Sequence, residues 1–370
     1  MHAAVVTTFG AAPRYHEFAA PVPADGEMLV DVLASGLHPR VRSQADGSHY
    51  TSTGELPLVP GIDGVGRGPD GLLRYFVLPD TTMGAMAEQT VIDVRRSLVL
   101  PGTIDPVAVA AAMNPAMSSW VALRQRVPFQ PGQDVLVLGA TGNAGQLAVQ
   151  IASLLGANNV IAAGRHPDRL APLPALGATA TVLLDGTADA TPKTPKTPKT
   201  PKTPNTPDGT AGRLGQAAAD VDVVLDYLWG EPAAAAMTAV LTKRADRSKP
   251  LNWIQIGSVA GRTAPIPSAA LRSARLAIVG SGQGSVGTRE YLAELPALVE
   301  EIAAGTLKVD ARAMPLAEVE QAWAADARQR IVLTPAAVTD RTPASAGLPV
   351  RRGPPGTARS SARPASARSC

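Results

Sequence analysis

Cysteine is almost missing from this chain of 370 residues. Its one copy, Cys370, is the last residue, so no internal disulfide and no thiolate metal cluster can form. Long apolar runs are missing too: nowhere do ~18 apolar residues follow one another without a break, the length a membrane-crossing helix needs. The start, Met1-His-Ala-Ala-Val-Val-Thr-Thr-Phe9, has neither the charged opening nor the apolar block of a signal peptide, and a cytoplasmic location is expected. Lysine is scarce, and four of the seven, Lys193, Lys196, Lys199 and Lys202, sit in one tandem stretch. The tail from 336 onward carries six arginines against the single Asp340. Without these two segments the formal net charge of +3 gives way to a mildly acidic body. No aromatic residue stands among the tail arginines to stack on a base, so a specific nucleic-acid partner is not expected.

What is present is a hydrophobic content of 45% with 18% charge, enough apolar material for about two domains. Fibrous, wholly disordered and disulfide-knit classes are excluded. Thr191-Pro192-Lys193 opens a three-residue repeat that runs to Pro204; proline at every third position forbids helix and sheet, so an extended surface loop over 191–209 is expected. Ala336 to Cys370 has too few large apolar side chains to offset the entropy of ordering, and is expected to be a disordered basic tail.

Residues 1–112 read as short strands between turns: Ala3 to Thr8, Met28 to Ala34, Leu72 to Leu78, Gln89 to Asp93 and Ser97 to Leu100. From Gln133 the texture changes to apolar strands alternating with helices. Val135 to Leu138, a helix over Gln146 to Leu155, Val160 to Ala163, Thr181 to Leu184, Val221 to Asp226 and Trp253 to Ile256 imply a parallel sheet with helices on both faces. That pattern ends near Ser281. Helices over Tyr291 to Gly305 and Leu316 to Ala327, then a strand Arg330 to Thr334, lead the chain back. The fold class is therefore α/β, a doubly wound parallel sheet inserted into a mainly β domain.

The most informative stretch is the strand Val135 to Leu138 running into Gly139-Ala140-Thr141-Gly142-Asn143-Ala144-Gly145 and then a helix. The helix sets Ala148, Ile151, Ala152 and Leu155 on one face, the spacing of a helix packed on a sheet. Gly142 lets the backbone approach a pyrophosphate, Gly145 lets helix and strand lie close, and the helix N-terminus offers free N–H groups to an anion. Ala140 stands where the dinucleotide fingerprint usually has its first glycine. The competing reading is a glycine turn in some other α/β protein. Strand, turn, helix and second strand in order within about thirty residues favour the dinucleotide.

The end of the second strand chooses the dinucleotide. NAD sites usually place Asp or Glu there for the ribose 2′-hydroxyl; this chain has Gly164, Arg165, His166 and then Arg169. Arginine grips a 2′-phosphate with parallel charge-assisted hydrogen bonds, so NADPH is the expected cofactor. The bland alternative for Arg165 is a surface arginine after a strand.

Leu29-Val-Asp-Val-Leu-Ala-Ser-Gly36, Pro60-Gly-Ile-Asp-Gly-Val-Gly66, the 139–145 turn, Asp222 to Asp226, Ile254 to Gly257 and Arg330 to Pro335 come in one order. In that order the chain resembles the medium-chain dehydrogenase/reductase superfamily, in its zinc-free, quinone-oxidoreductase-like branch. The resemblance spans about residues 1–335. It implies a GroES-like catalytic domain (1–112 with the return 285–335), a Rossmann NADPH-binding domain (113–284), and an active site in the cleft between them. Zinc-binding members carry a cysteine after the first Ser-Gly and a Gly-His-Glu after Pro-Gly. Here His38 and Gly61-Ile62-Asp63 stand at those places, which falls short of the three protein ligands a catalytic zinc needs, so no metal is expected.

Without a Lewis acid, hydride transfer to a quinone or enone needs the least help, because charge spreads into a phenolate or enolate. The resemblance puts a tyrosine-containing loop at Gly47 to Tyr50, making Tyr50 and His49 the catalytic candidates; Tyr50 either donates a proton or packs over the nicotinamide. Asn114 and Ser118 are expected beside the nicotinamide, with Trp120 in the core. Tyr227, Gly257, Ser258, Gly280 and Ser281 end strands where an open α/β sheet binds ligands. The expected function is an NADPH-dependent oxidoreductase acting on a small-molecule quinone, enone or other activated C=C or C=O. The alternatives are a non-catalytic NADPH-binding sensor or scaffold and a zinc alcohol dehydrogenase. A homodimer is an open expectation.

Overall fold

The computed structural model describes residues 1–184, 209–282, 284–326 and 330–335. The Thr-Pro-Lys repeat and the basic tail fall outside the described residues. The first part of the chain supplies β1 (His2–Val5), β2 (Arg14–Glu17), β3 (Glu27–Leu37), α1 (Pro39–Ala45), β4 (Asp63–Arg67), β5 (Leu73–Val77), β6 (Gln89–Asp93) and β7 (Ser97–Val99). The long helix α2 (Pro106–Val121) follows. Then come β8 (Val135–Leu138), α3 (Asn143–Leu154), β9 (Val160–Gly164), α4 (Pro167–Leu170), β10 (Ala180–Leu183), α5 (Thr210–Ala217), β11 (Val223–Asp226), α6 (Gly230–Lys243), β12 (Leu251–Gln255), α7 (Ser268–Ser273) and β13 (Leu276–Gly280). The chain returns through α8 (Thr288–Ala303), β14 (Ala311–Pro315), α9 (Val319–Ala324) and β15 (Arg330–Thr334).

Two large sheets result. Strands β8 to β13 form a wholly parallel six-stranded sheet in the order β10-β9-β8-β11-β12-β13, the doubly wound arrangement, whose order reverses next to β8. Val135 to Leu138 are all fully buried, as a central parallel strand covered by helices on both faces must be. The other sheet runs β14-β15-β3-β4-β5-β7, with β6 also paired to β3. A register shift between Val32 and Ala34 lets the eleven-residue β3 serve β6 and β4 at one end and β15 at the other. The last described strand thus completes a sheet begun near residue 27.

Helix α2 is the shared core element. It carries Pro115 inside its length, so the Ala111 carbonyl one turn back loses its helical N–H partner. The Arg330 guanidinium of β15 fills the gap: its Nε donates to Ala111 O at 3.1 Å and its Nη1 to Leu37 O at 3.3 Å. The run Pro106–Arg126, α2 with the single π turn that extends it, is long and apolar enough to cross a membrane, but 72% of its apolar window is buried inside the protein.

Candidate functional site

A cleft of about 490 Å³ opens where the carboxyl ends of the parallel strands face the mixed sheet. Its floor is the turn between β8 and α3. Helix α3 has Gly142 as N-cap and no side chain caps it, so the first N–H groups, from Asn143, Ala144 and Gly145, open toward the cleft. A methyl group added at Gly145 would meet the Gly139 carbonyl and stand 2.7 Å from Ala140 Cα, so the helix rests directly on the strand's end. One added at Gly142 would find Gly139 O at an ordinary 3.5 Å, leaving a bare cradle. Gly139 itself needs φ = +87° to turn the chain.

The second strand closes over this turn: Gly164 lies so close that an added Cβ would be 2.5 Å from Thr141 Cγ2. Arg165, His166 and Arg169 follow on the cleft's rim. Among the described residues no Asp or Glu lines the cleft, whereas five arginines and two histidines do. Tyr227, at the end of β11, shares a hydrogen bond of 2.9 Å with Ser118 Oγ. Ser118 spends its own proton on Pro115 O at 2.6 Å, so the phenol is the donor, and burial pushes its pKa up to about 12. Asp226 beneath it is fully buried, its pKa raised by desolvation, and it accepts from Leu228 N, Trp229 N and Trp253 Nε1.

Of the residues expected from sequence, Asn114, Ser118, Gly139, Thr141, Gly142, Asn143, Ala144, Gly145, Gly164, Arg165, Arg169, Tyr227 and Gly257 meet in this one cleft. Ala140 is buried behind it, its N–H donated to Ala163 O. Ser258 is exposed, Ser281 is buried with its N–H on Gln255 O, and Gly280 O accepts from Arg126 Nε; none of these three lines the cleft. Tyr50 and His49 lie outside the lining as well. Tyr50 is 74% exposed, and a methyl group at Gly282 would stand 3.8 Å from its hydroxyl. His49 packs its ring on Tyr50 and pairs with Thr51 Oγ1; partial burial and then Arg40 bring its pKa down to about 4.

Sequence reading expects His38 to be a wall residue of the cleft or a satisfied polar group rather than a metal ligand, and it stands in the opposite wall as part of a polar cluster with Asp63 and Tyr75. His38, the N-cap of α1, is 3% exposed and lines the cleft. Its Nε2 lies 3.0 Å from Asp63 Oδ1, and Tyr75 donates to Asp63 Oδ2 at 2.9 Å. Asp63 on β4 and Tyr75 on β5 are themselves buried. Desolvation lowers the His38 pKa and raises that of Tyr75 well above the ordinary phenol value, while burial lowers Arg330 to about 10. Among the described residues His38 Nδ1 has no hydrogen-bond partner. The signal that could have found the cluster is the pair of polar residues His38 and Asp63 in otherwise apolar strand-end sequence.

No family model matches the chain. A protein named Probable NADPH-dependent quinone reductase tdiC, from Emericella nidulans, is 30% identical over 378 aligned positions, covering 90% of this chain and all of that protein. The chain belongs to the quinone-oxidoreductase group of the medium-chain dehydrogenase/reductase superfamily. Human quinone oxidoreductase, another member, is 30% identical over 149 positions, 38% of this chain and 45% of that one. The crystal structure of the Thermus thermophilus quinone oxidoreductase, determined alone and with NADPH, superposes with a TM-score of 0.72 at 25% identity, covering 90% of this chain and all of that one. The six-stranded sheet is thus the Rossmann part of this superfamily, and the mixed sheet its GroES-like part. The two places at which the sequence was expected to differ from zinc-binding members hold the hydrogen-bonded His38–Asp63 pair, with Ile62 beside Asp63. No three His, Cys, Asp or Glu side chains gather to hold a metal ion among the described residues.

Proposed function

We propose that this protein uses NADPH to reduce quinones and conjugated enones or alkenals, without zinc. The observation that carries the reading is the cleft in which an uncapped helix N-terminus, a bare glycine cradle and an arginine rim, without a carboxylate among the described residues, lie side by side. These residues fit NADP(H): the N–H groups of Asn143, Ala144 and Gly145 would hold the pyrophosphate, and Arg165 with Arg169 the 2′-phosphate. Asn114, Ser118, Tyr227 and Gly257 would flank the nicotinamide, with Ala140 packed behind the glycine turn. When bound, the cofactor supplies a hydride. The chain's part is to orient it, to exclude water with Tyr227 and Leu228, and to leave the product oxyanion to be protonated.

The names of the relatives support the substrate class: NADPH-dependent quinone reductase, quinone oxidoreductase and NADPH-dependent alkenal/one oxidoreductase. The division into 1–112 with 285–335 as catalytic domain and 113–284 as cofactor domain belongs to this proposal. So do a cytoplasmic location, a homodimer, and Tyr50 and His49 as the catalytic candidates, although both lie outside the lining of the cleft. The test is to follow loss of NADPH absorbance with a panel of quinones and enones, with and without a chelator, alongside titrations of NADPH and NADH. Turnover that the chelator leaves intact, with NADPH bound more tightly than NADH, is expected. Equal affinities would remove the 2′-phosphate argument, and tight binding without turnover would favour a sensor.

A further inference from the structure

The turn after β11 is bent against the preference of its residues. Trp229 has φ = +53° and ψ = −164°, backbone that glycine enters freely and a residue with a Cβ does not, and it is the only non-glycine residue with positive φ among the described residues. The strain has a visible support. Asp226 Oδ1 accepts from Leu228 N at 2.8 Å and from Trp229 N at 3.0 Å, while Oδ2 accepts from Trp253 Nε1 at 2.9 Å. The carboxylate is fully buried and makes no ion pair among the described residues, so three N–H groups hold it, and two of them belong to the turn.

What the turn carries is part of the cleft's lining, Tyr227 and Leu228. Tyr227 donates to Ser118 on α2, and a methyl group added at Gly139 would stand 3.1 Å from Leu228 Cδ2 and 3.3 Å from Tyr227 Cβ. Ala260 N, donating to Leu228 O at 2.9 Å, closes the turn's other side. The two residues are therefore seated between the glycine turn and α2, and relaxation of the backbone at Trp229 carries them off those seats.

We propose that Asp226 is a positioning residue: by holding Trp229 at positive φ it fixes Tyr227 and Leu228 where hydride transfer needs them. It touches neither cofactor nor substrate. Oδ1 does the positioning through the two backbone N–H groups, and Oδ2 anchors the carboxylate to β12 through Trp253. The phosphate contacts proposed for Asn143 to Gly145, Arg165 and Arg169 lie on other segments, so Asp226 governs the rate of transfer and not the affinity for NADPH. This inference rests on the NADPH-dependent reduction proposed above.

The experiment loads each protein with NADPH, mixes it with an excess of a quinone that the wild type reduces, and follows the loss of NADPH absorbance in a single turnover. A partly unfolded variant reacts with smaller amplitude at the wild-type rate; a mispositioned one reacts fully but slowly. Asp226→Ala should lower the rate at least about tenfold and leave the NADPH dissociation constant, by calorimetry, within about threefold of the wild type. Asp226→Asn keeps an oxygen for the two backbone N–H groups and should react at close to the wild-type rate, although its amide nitrogen, facing the Trp253 N–H, lowers the melting midpoint. Adding Trp229→Gly to Asp226→Ala should bring the rate back to within about threefold of the wild type, because glycine needs no support at that φ. The stranded Trp253 N–H is common to both, so its loss of a partner does not explain such a recovery. Asp226→Asn as slow as Asp226→Ala, an Asp226→Ala protein that differs from the wild type in amplitude alone, or a double variant that stays slow would overturn the proposal. Should Asp226→Ala fail to fold, recovery of folding and rate in the double variant supports the proposal, and a double variant that also fails to fold ends it. A wild type that binds no NADPH or reduces no quinone brings down the parent reading, and this one with it.

Discussion

Gly142 and Gly145 lie three residues apart in the turn before α3, yet an added methyl group meets different neighbours at each. At Gly145 it presses on the Gly139 carbonyl and Ala140 Cα, so Gly145→Ala has to push the helix off the strand. Overpacking of this kind costs about 1–3 kcal/mol, and thermal unfolding should show a clear drop in midpoint. At Gly142 the methyl fits the free protein, and φ is −80°. On the proposed seat of the pyrophosphate, Gly142→Ala should melt like the wild type but bind NADPH at least about tenfold more weakly. Arg165 makes no ion pair among the described residues. Losing a charged hydrogen bond worth about 1.5–3 kcal/mol, Arg165→Ser should raise the NADPH dissociation constant roughly 10- to 100-fold and leave that of NADH within about twofold, by calorimetry.

At the scale of elements, α2 and α8 are joined by a buried carboxylate. Glu294 of α8 is 6% exposed and accepts from Trp120 Nε1 at 2.9 Å, from Arg124 Nε and from Gln125 Nε2, the last two in the π turn that extends α2. Desolvation pulls its pKa up, but these three donors outweigh it and hold the carboxyl below its ordinary value. Glu294→Ala strands the buried indole N–H, and denaturant titration should show a loss of about 1–3 kcal/mol. Such tertiary ties explain what could be read in the sequence and what could not. Val135 to Leu138 was legible at its observed bounds because a central parallel strand is one continuous apolar run. α3 begins three residues before the expected Gln146, since its first turn is made of the small residues of the glycine turn. Helix α2 escaped because it is apolar all round and contains Pro115, which sequence rules treat as a break; Arg330 repairs that break from more than 200 residues away. Strand β4 escaped because Asp63-Gly-Val-Gly-Arg67 is poor in strand formers, and β2 because Arg14 to Glu17 is polar. The residues of the 139–145 turn and of 164–169 are local in sequence, and their gathering at one cleft was legible; that His38 in the wall bonds Asp63, and Asp63 Tyr75, depends on which strands pair, and was not.

For the molecule as a whole, the buried imidazole links folding to pH. The folded state holds the His38 pKa below 6.5, whereas the unfolded chain takes up its proton as pH falls through about 6.5. The unfolded state then binds more protons, so stability is full above that value and declines below it, by at most about 1.4 kcal/mol per pH unit for one group. Unfolding free energies of wild type and His38→Asn between pH 7 and pH 5 should diverge, with the wild type falling more steeply. Deleting residues 191–204, which the sequence leads one to expect as a solvated loop whose lysine charges salt screens, should leave the Michaelis constant for NADPH nearly unchanged in steady-state kinetics. The contacts of Arg330 also set an order in time. The six parallel strands are complete once Gly280 has been made, but the opposite wall needs Arg330 and Ile331 beside Leu37 and His38. A ribosome must therefore release some fifty further residues before a nascent chain that already has its glycine turn acquires a second wall, so birth of the parallel sheet and birth of the enzyme are separate events.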